Sequence, residues 1–298
     1  MLANDSSVTP QPAASHEDMP VVDLDSYPID RLDSPEGQDL LHRIRGELAQ
    51  TGCAILRGFV REDLLSRIRQ ESDALAPQAH INDTQTNPYS SDGDPSLPAD
   101  HPRNIFMDRS NGFVGGDLIG QETAIRRLYH DKSVQDFLAR VLDIDELHEY
   151  ADPLGGLVIN VLKPGCQHPW HYDTNEFVVS MLTKEPEGGG LFEYCPQIRS
   201  PESENYEAVS HVLQGDQTRV HTLELRPGDL QIFYGRYSLH RVSRVEGQQD
   251  RHTVIFSYAR EPGMIARAER TRRIFGRVAP IHEQQASEGP ARSDNLQD

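Results

Sequence analysis

The chain has 298 residues, with 47 acidic against 29 basic side chains and a formal charge of -18. That length suits one large core with frayed ends, and the acidic balance, with no basic cluster interleaved with aromatics, argues against nucleic acid as a partner. Hydrophobic residues make up 36%, and no apolar run approaches the roughly 18 residues that cross a bilayer, so no membrane partner is expected.

Residues 1–18 are rich in Ser, Pro, Ala and Asp without apolar periodicity and are expected to form a disordered tail. The segment has neither a basic start nor an apolar stretch, so it does not read as a secretory signal, and the cytoplasm is the expected compartment. A single domain is expected over 19–278, followed by a second loose tail over 279–298. Its first part, to about residue 145, reads as helical and mixed. Leu40, Leu41, Ile44 and Leu48 recur at helical spacing and predict a helix over 37–50. A short strand in CAILRGF and a helix from Arg61 to Leu75 follow. From Ala76 to Gly120 the chain is polar and punctuated by Asn87-Pro88, Asp94-Pro95 and Gly115-Gly116, which predicts a long irregular connection covering a pocket. Two helices are predicted near Glu122–Tyr129 and Ser133–Leu142.

The texture then changes. GLVINVLK, FVVSMLT, GLFEYC, HTLELR, LQIFYG and TVIFSYA read as short strands separated by turns such as Lys163-Pro164-Gly165 and Arg226-Pro227-Gly228-Asp229. They predict a β-rich core over about 146–260, built as a barrel or jelly roll in place of a parallel sheet. An arginine-rich helix from about Gly263 to Phe275 packs back on the core or on a second subunit, which leaves a homodimer open. Cys53, Cys166 and Cys195 are odd in number and widely spaced, matching neither a disulfide framework nor a zinc pair.

The sharpest local signal is His171-Tyr172-Asp173. Residues two apart on an extended segment share a face and can grip one ion, while Tyr172 points away. His240, after the strand LQIFYG, supplies a third ligand. Two imidazoles and one carboxylate suit non-haem iron(II) and leave coordination positions open, where a 2-oxo acid can chelate and dioxygen can bind. Arg251 then matches the far carboxylate of the 2-oxo acid through its planar fork, and Thr253, on the same strand face, can add a hydroxyl.

On these residues the sequence resembles the iron(II)/2-oxoglutarate-dependent dioxygenase superfamily, whose pattern is HxD, a distant His, then Arg-x-Ser or Arg-x-Thr. The stretch INVLKPGCQHPWHYDTNEFVVSMLTKEPEGGGLFEYCPQIR is also similar to a bacterial subgroup acting on free amino acids, including radical halogenases and related hydroxylases. The resemblance covers about Gly156 to Tyr258. It implies an α+β fold with a double-stranded β-helix (jelly-roll, cupin-like) core and flanking N-terminal helices. It implies iron(II), 2-oxoglutarate and O2 as cofactors, with ascorbate as in vitro support. An Asn-x-Tyr segment of the superfamily maps onto Asn160 as a co-substrate contact, with Leu162 replacing the tyrosine. Halogenases of the subgroup carry a small residue in place of the acidic ligand, opening a position for halide. Asp173 therefore implies hydroxylation of an unactivated C–H, with release of succinate and CO2.

The resemblance also implies a small-molecule substrate, a small polar metabolite such as a free amino acid or a derivative. Arg109, in NIFMDRSNG, is a candidate clamp for a substrate carboxylate. His168, Thr174 and Glu193 are further candidate substrate contacts, and His168 could instead join His171 in a zinc site. Desaturation or cyclisation would use the same residues. Two rivals stay open: a non-catalytic cupin-like metal-binding protein, with no need for Arg251, and an oxygenase acting on a protein side chain.

Overall fold

The computed structural model describes residues 20–284 and 296–297. In chain order it forms α1 (Pro35–Thr51), β1 (Cys53–Leu56), α2 (Glu62–Leu75), β2 (His80–Thr86), β3 (Met107–Val114), α3 (Ala124–His130) and α4 (Lys132–Leu142). The β-rich half follows as β4 (His148–Glu149), β5 (Leu157–Leu162), β6 (His168–His171), β7 (Val178–Lys184), β8 (Gly188–Gly189) and β9 (Phe192–Cys195). Then come α5 (Tyr206–Leu213), β10 (His221–Leu223), β11 (Leu230–Phe233), β12 (Leu239–Val242), β13 (Val245–Glu246), β14 (Arg251–Phe256), β15 (Tyr258–Ala259), α6 (Ala268–Phe275) and α7 (Pro280–Gln284).

The strands build a seven-stranded sheet, ordered β1-β11-β7-β14-β5-β3-β2, and a four-stranded sheet, β10-β9-β12-β6, with antiparallel pairing throughout both. This is the jelly-roll core expected from the short strands. Side chains alternate across a strand, and the two faces of the large sheet differ sharply. One face carries Ala54, Ile159, Val161, Met181, Ile232 and Val254, which share one core cluster with the apolar stripes of α1 to α4. The other carries Arg109, Asn111, Asn160, Ser180, Gln231, Arg251 and Thr253, all buried. The register makes them neighbours, with Thr253 opposite Asn160 and Ser180 opposite Gln231.

The helices form for local reasons. Ser34 caps α1 by accepting from the Gly37 amide, Pro35 stands in its first turn, and Gly52 ends it in the left-handed region at φ 68°. In α4, Phe137 is fully buried, with its ring 6.3 Å from that of Phe59. Phe137→Ala is expected to cost about 3–5 kcal/mol, read as a lowered denaturant midpoint.

Three expectations need correction. The irregular connection expected from Ala76 to Gly120 contains β2 and β3, which pair along their full length and extend the large sheet. Between them Tyr89 packs against Tyr172 and Tyr206 on the outer side of the small sheet, away from the face that carries His171 and His240. The helix α5, absent from the sequence reading, closes that cluster through Ala208, Val209 and Val212. The tail expected from residue 279 is overturned over its first residues, because α7 buries His282 with Nε2 3.1 Å from Asp152 Oδ1. The tail expectations over 1–18 and 285–295 lie outside the described residues. No helix among the described residues is long and apolar enough to cross a membrane.

Candidate metal centre

The small sheet brings two of the expected ligands together, since His171 on β6 is the register partner of His240 on β12. Their ring centroids are 4.1 Å apart. Asp173 follows β6 and hangs its amide on the Gly235 carbonyl at 3.1 Å, which brings its Oδ2 to 3.4 Å from His240 Nε2. One ligand atom from each of His171, Asp173 and His240 lies within 4.8 Å of the others, spacing that suits one ion.

Backbone carbonyls fix the orientation of both imidazoles. His171 Nδ1 donates to Pro169 O at 2.7 Å, and His240 Nδ1 donates to Ser238 O at 2.9 Å. A carbonyl only accepts, so the proton sits on Nδ1 in each ring and the Nε2 lone pair is left for a metal. Burial, the neighbouring His168 and His240 lower the His171 pKa well below the usual imidazole range, which keeps it in the neutral, ligating form. His240 is walled by aromatics, Phe192 stacked at 5.6 Å and Phe233 edge-on at 4.9 Å.

A glycine makes room for the carboxylate. A Cβ at Gly235 would stand 1.8 Å from Asp173 Oδ2, closer than any real contact. Gly235→Ala is therefore expected to displace the carboxylate and weaken metal binding by about 10- to 100-fold, with helical circular dichroism unchanged. Retained affinity in a competition titration would remove Gly235 from the account.

His168 enters the site through a bulge. His171 pairs with His240 and His168 with Val242, so three steps on β6 match two on β12. Residues three apart would otherwise point to opposite faces. The bulge turns His168 onto the site face, where its ring stacks on His171 at 3.7 Å and 15°. It is not a member of the three-residue ligand cluster. Burial, and then Arg109, lower its pKa well below the usual range.

Both histidines are bases with depressed folded-state pKa values. Their contribution to stability is whole above the unfolded pKa of about 6.5 and is lost as pH falls below it. The apoprotein should accordingly lose melting temperature between pH 7 and pH 5, and His168→Gln should flatten that slope.

Arg251 is the second anchor. It is 3% exposed, and its Nη1 donates to Thr253 Oγ1 at 2.6 Å. Among the described residues no carboxylate lies within ion-pair distance of it. Burial alone lowers its pKa to about 10. Asn160, opposite Thr253, spends its amide on the Gly112 carbonyl at 3.1 Å. A buried guanidinium without an anion is costly, and this one shares its sheet face with a polar wall beside the triad. The donor set, the oriented imidazoles and the unmatched arginine together fit iron and a 2-oxo dicarboxylate.

The substrate candidates divide. Arg109 is 8% exposed, points into the site from β3 and donates Nε to Asn111 Oδ1 at 3.2 Å. Burial, then Arg273 and Arg270, lower its pKa to about 10. Thr174 accepts from Arg270 Nη1 at 2.6 Å. Glu193 must be corrected: its strand neighbour Tyr194 is the partner opposite His240, so Glu193 faces the other side. There it pairs with Arg241 at 2.5 Å, and Arg241 lies over the Trp170 ring. Sequence reasoning missed Gly235 and Arg270. Nothing in the text distinguishes Arg270 from Arg267, Arg272 and Arg273, because only the docking of α6 selects it.

The jelly-roll core, the two-histidine-one-carboxylate triad and the arginine behind it define a class, the iron(II)- and 2-oxoglutarate-dependent oxygenases. The chain belongs to the Halogenase D family, whose model matches residues 36–275. No curated protein matches it. Among solved structures it is similar to AviO1 from Streptomyces viridochromogenes Tue57, at 15% identity and TM-score 0.52, covering 74% of this chain and 95% of that one. It is also similar to the epimerase SnoN in complex with Fe3+, alpha ketoglutarate and nogalamycin RO, at 11% identity and TM-score 0.51, covering 74% and 84%. An oxidoreductase of the 2OG-Fe(II) oxygenase family from Burkholderia pseudomallei aligns at 16% identity and TM-score 0.48, covering 75% and 92%.

Proposed function

We propose that this chain hydroxylates an unactivated C–H of a small polar metabolite, a free amino acid or a derivative, and does not halogenate it. The observation that carries the reading is the carboxylate of Asp173, seated on Gly235 and 3.4 Å from His240 Nε2. It fills a position that a halide would need.

In this reading His171, Asp173 and His240 hold the iron, with the Nδ1 bonds to Pro169 and Ser238 keeping both imidazoles aimed before the metal arrives. Arg251 receives the far carboxylate of 2-oxoglutarate through its fork, Thr253 steadies the guanidinium, and Asn160 lines the same wall. Phe192 and Phe233 keep bulk water from the His240 side. Bound together, iron(II), 2-oxoglutarate and dioxygen supply the oxidising chemistry: one oxygen atom enters the substrate C–H, and the other leaves in succinate alongside CO2. Arg109, His168 and Thr174 orient the substrate so that one C–H faces the metal.

The test is a product measurement. With iron(II), 2-oxoglutarate, ascorbate and air, a panel of amino acids and derivatives is offered in the presence of excess chloride or bromide. The reading expects a product gaining the mass of one oxygen and no halogen isotope pattern. A halogenated product from the unaltered chain would overturn it.

A further inference from the structure

The class of substrate follows from the charges that face the metal centre. Three buried or half-buried arginines converge there from separate elements: Arg251 from β14, Arg109 from β3 and Arg270 from α6. His168, which stacks on His171, experiences the positive charge of all three. Arg109 in turn experiences Arg270 and Arg273, and no acidic group offsets them. Arg270 faces Asp173 and Tyr150. The only carboxylate in this set is the metal-ligand candidate itself. Glu193 is turned outward onto Arg241, and Glu176 pairs with Arg260.

The balance can be drawn group by group, resting on the function proposed above. The two positive charges of the metal and the one on Arg251 are matched by Asp173 and the two carboxylates of 2-oxoglutarate. Arg109 and Arg270 are then left without anions, in a chain whose overall charge is -18. Arg109, with no acidic group offsetting its charge, and Arg270, facing only the carboxylate proposed to bind the metal, are arranged for a ligand. A second observation points the same way: Asn111 is 1% exposed, its Oδ1 is taken by Arg109 Nε, and its Nδ2 has no partner. A buried amide donor without an acceptor is costly, and here it lies beside Arg109.

We infer that the substrate carries two anionic groups, one held by Arg109 with Asn111 and the other by Arg270 with Thr174. Among the described residues named around the site, the proposed metal ligand is the one carboxylate a substrate ammonium would meet, with Glu193 and Glu176 paired elsewhere. The structure therefore assigns this site to a small molecule with two anionic groups, a dicarboxylic amino acid derivative or a phosphorylated one, over a basic amino acid.

Calorimetric titration tests this on protein loaded with nickel(II) and saturating 2-oxoglutarate, which fills the Arg251 site and prevents turnover. The probes are matched pairs: aspartate and asparagine, glutamate and glutamine, N-acetylglutamate and N-acetylglutamine, phosphoserine and serine, with lysine alone. At least one member carrying two anionic groups should bind about 10- to 100-fold more tightly than the counterpart that lacks the second, and the pair that shows it separates carboxylate from phosphate. Arg270→Gln should remove that preference while leaving the affinity for 2-oxoglutarate unchanged. If no charged member binds more tightly than its counterpart, or if lysine binds best, the inference is overturned. Loss of 2-oxoglutarate binding in Arg251→Met, measured in the same titration, reports separately on the co-substrate reading.

Discussion

Replacing Arg251 with methionine is expected to weaken 2-oxoglutarate binding by about 100-fold while making the apoprotein more stable. The two effects have one cause. Arg251 is 3% exposed, hydrogen-bonded to Thr253 and without a carboxylate partner among the described residues. Burial depresses its pKa from 12.5 to about 10, a penalty on the order of 3–4 kcal/mol for carrying charge at neutral pH. A dicarboxylate repays that penalty when it binds, and methionine never incurs it. The stem has little slack, since a Cβ at Gly190 would stand 3.0 Å from Arg251 Cδ, so the unbranched thioether is the suitable replacement. Thermal melts without ligand and titration with 2-oxoglutarate read the two signs independently. A destabilised variant that still bound the co-substrate normally would mark Arg251 as structural.

The second large effect belongs to Asp173. Asp173→Ala should abolish hydroxylation and lower iron affinity by about 100-fold or more, since even residues that merely orient ligands cost about 10- to 100-fold. The fold should survive, because the carboxylate is 23% exposed and its chain is held by the backbone bond from Asp173 N to Gly235 O. Asp173→Asn keeps the volume and the seat on Gly235 but removes the charge, and should lose most of the metal affinity as well. Full turnover in either variant would refute the role assigned to this residue. The family bears the name of a halogenase, so this position is where the chain's chemistry is expected to part from that name.

Much of this was legible in the residues, and the omissions have a common physical origin. The triad and Arg251 could be found because period-two spacing, a turn-bounded strand and donor chemistry all agree at those positions. The strand β3 was hidden for the opposite reason. Its inward residues Arg109 and Asn111 lie on the polar face of the large sheet, so MDRSNGFV shows no apolar alternation and reads as loop. Function had inverted the usual pattern. His168 was named as a candidate contact, but what turns it onto the site face is a bulge that spacing does not reveal. Glu193 was offered as a substrate contact because strand parity cannot be set without the partner strand, and the pairing of Tyr194 with His240 sets it the other way. Arg270 depends on how α6 docks, where Phe275 meets Phe113 edge-on at 6.4 Å and Asn82 donates to the Arg273 carbonyl at 2.8 Å. No local pattern encodes that long-range contact.

The central claim is that one metal site and one buried arginine together consume 2-oxoglutarate. The most direct measurement is succinate formed by purified protein with iron(II), 2-oxoglutarate, ascorbate and air, comparing the unaltered chain with His171→Ala and Arg251→Met across the substrate panel. The account predicts iron-dependent succinate from the unaltered chain, none from His171→Ala, and recovery in Arg251→Met only at much higher 2-oxoglutarate. Iron binding without succinate under every condition would contradict it and favour a metal-binding protein that does not turn over.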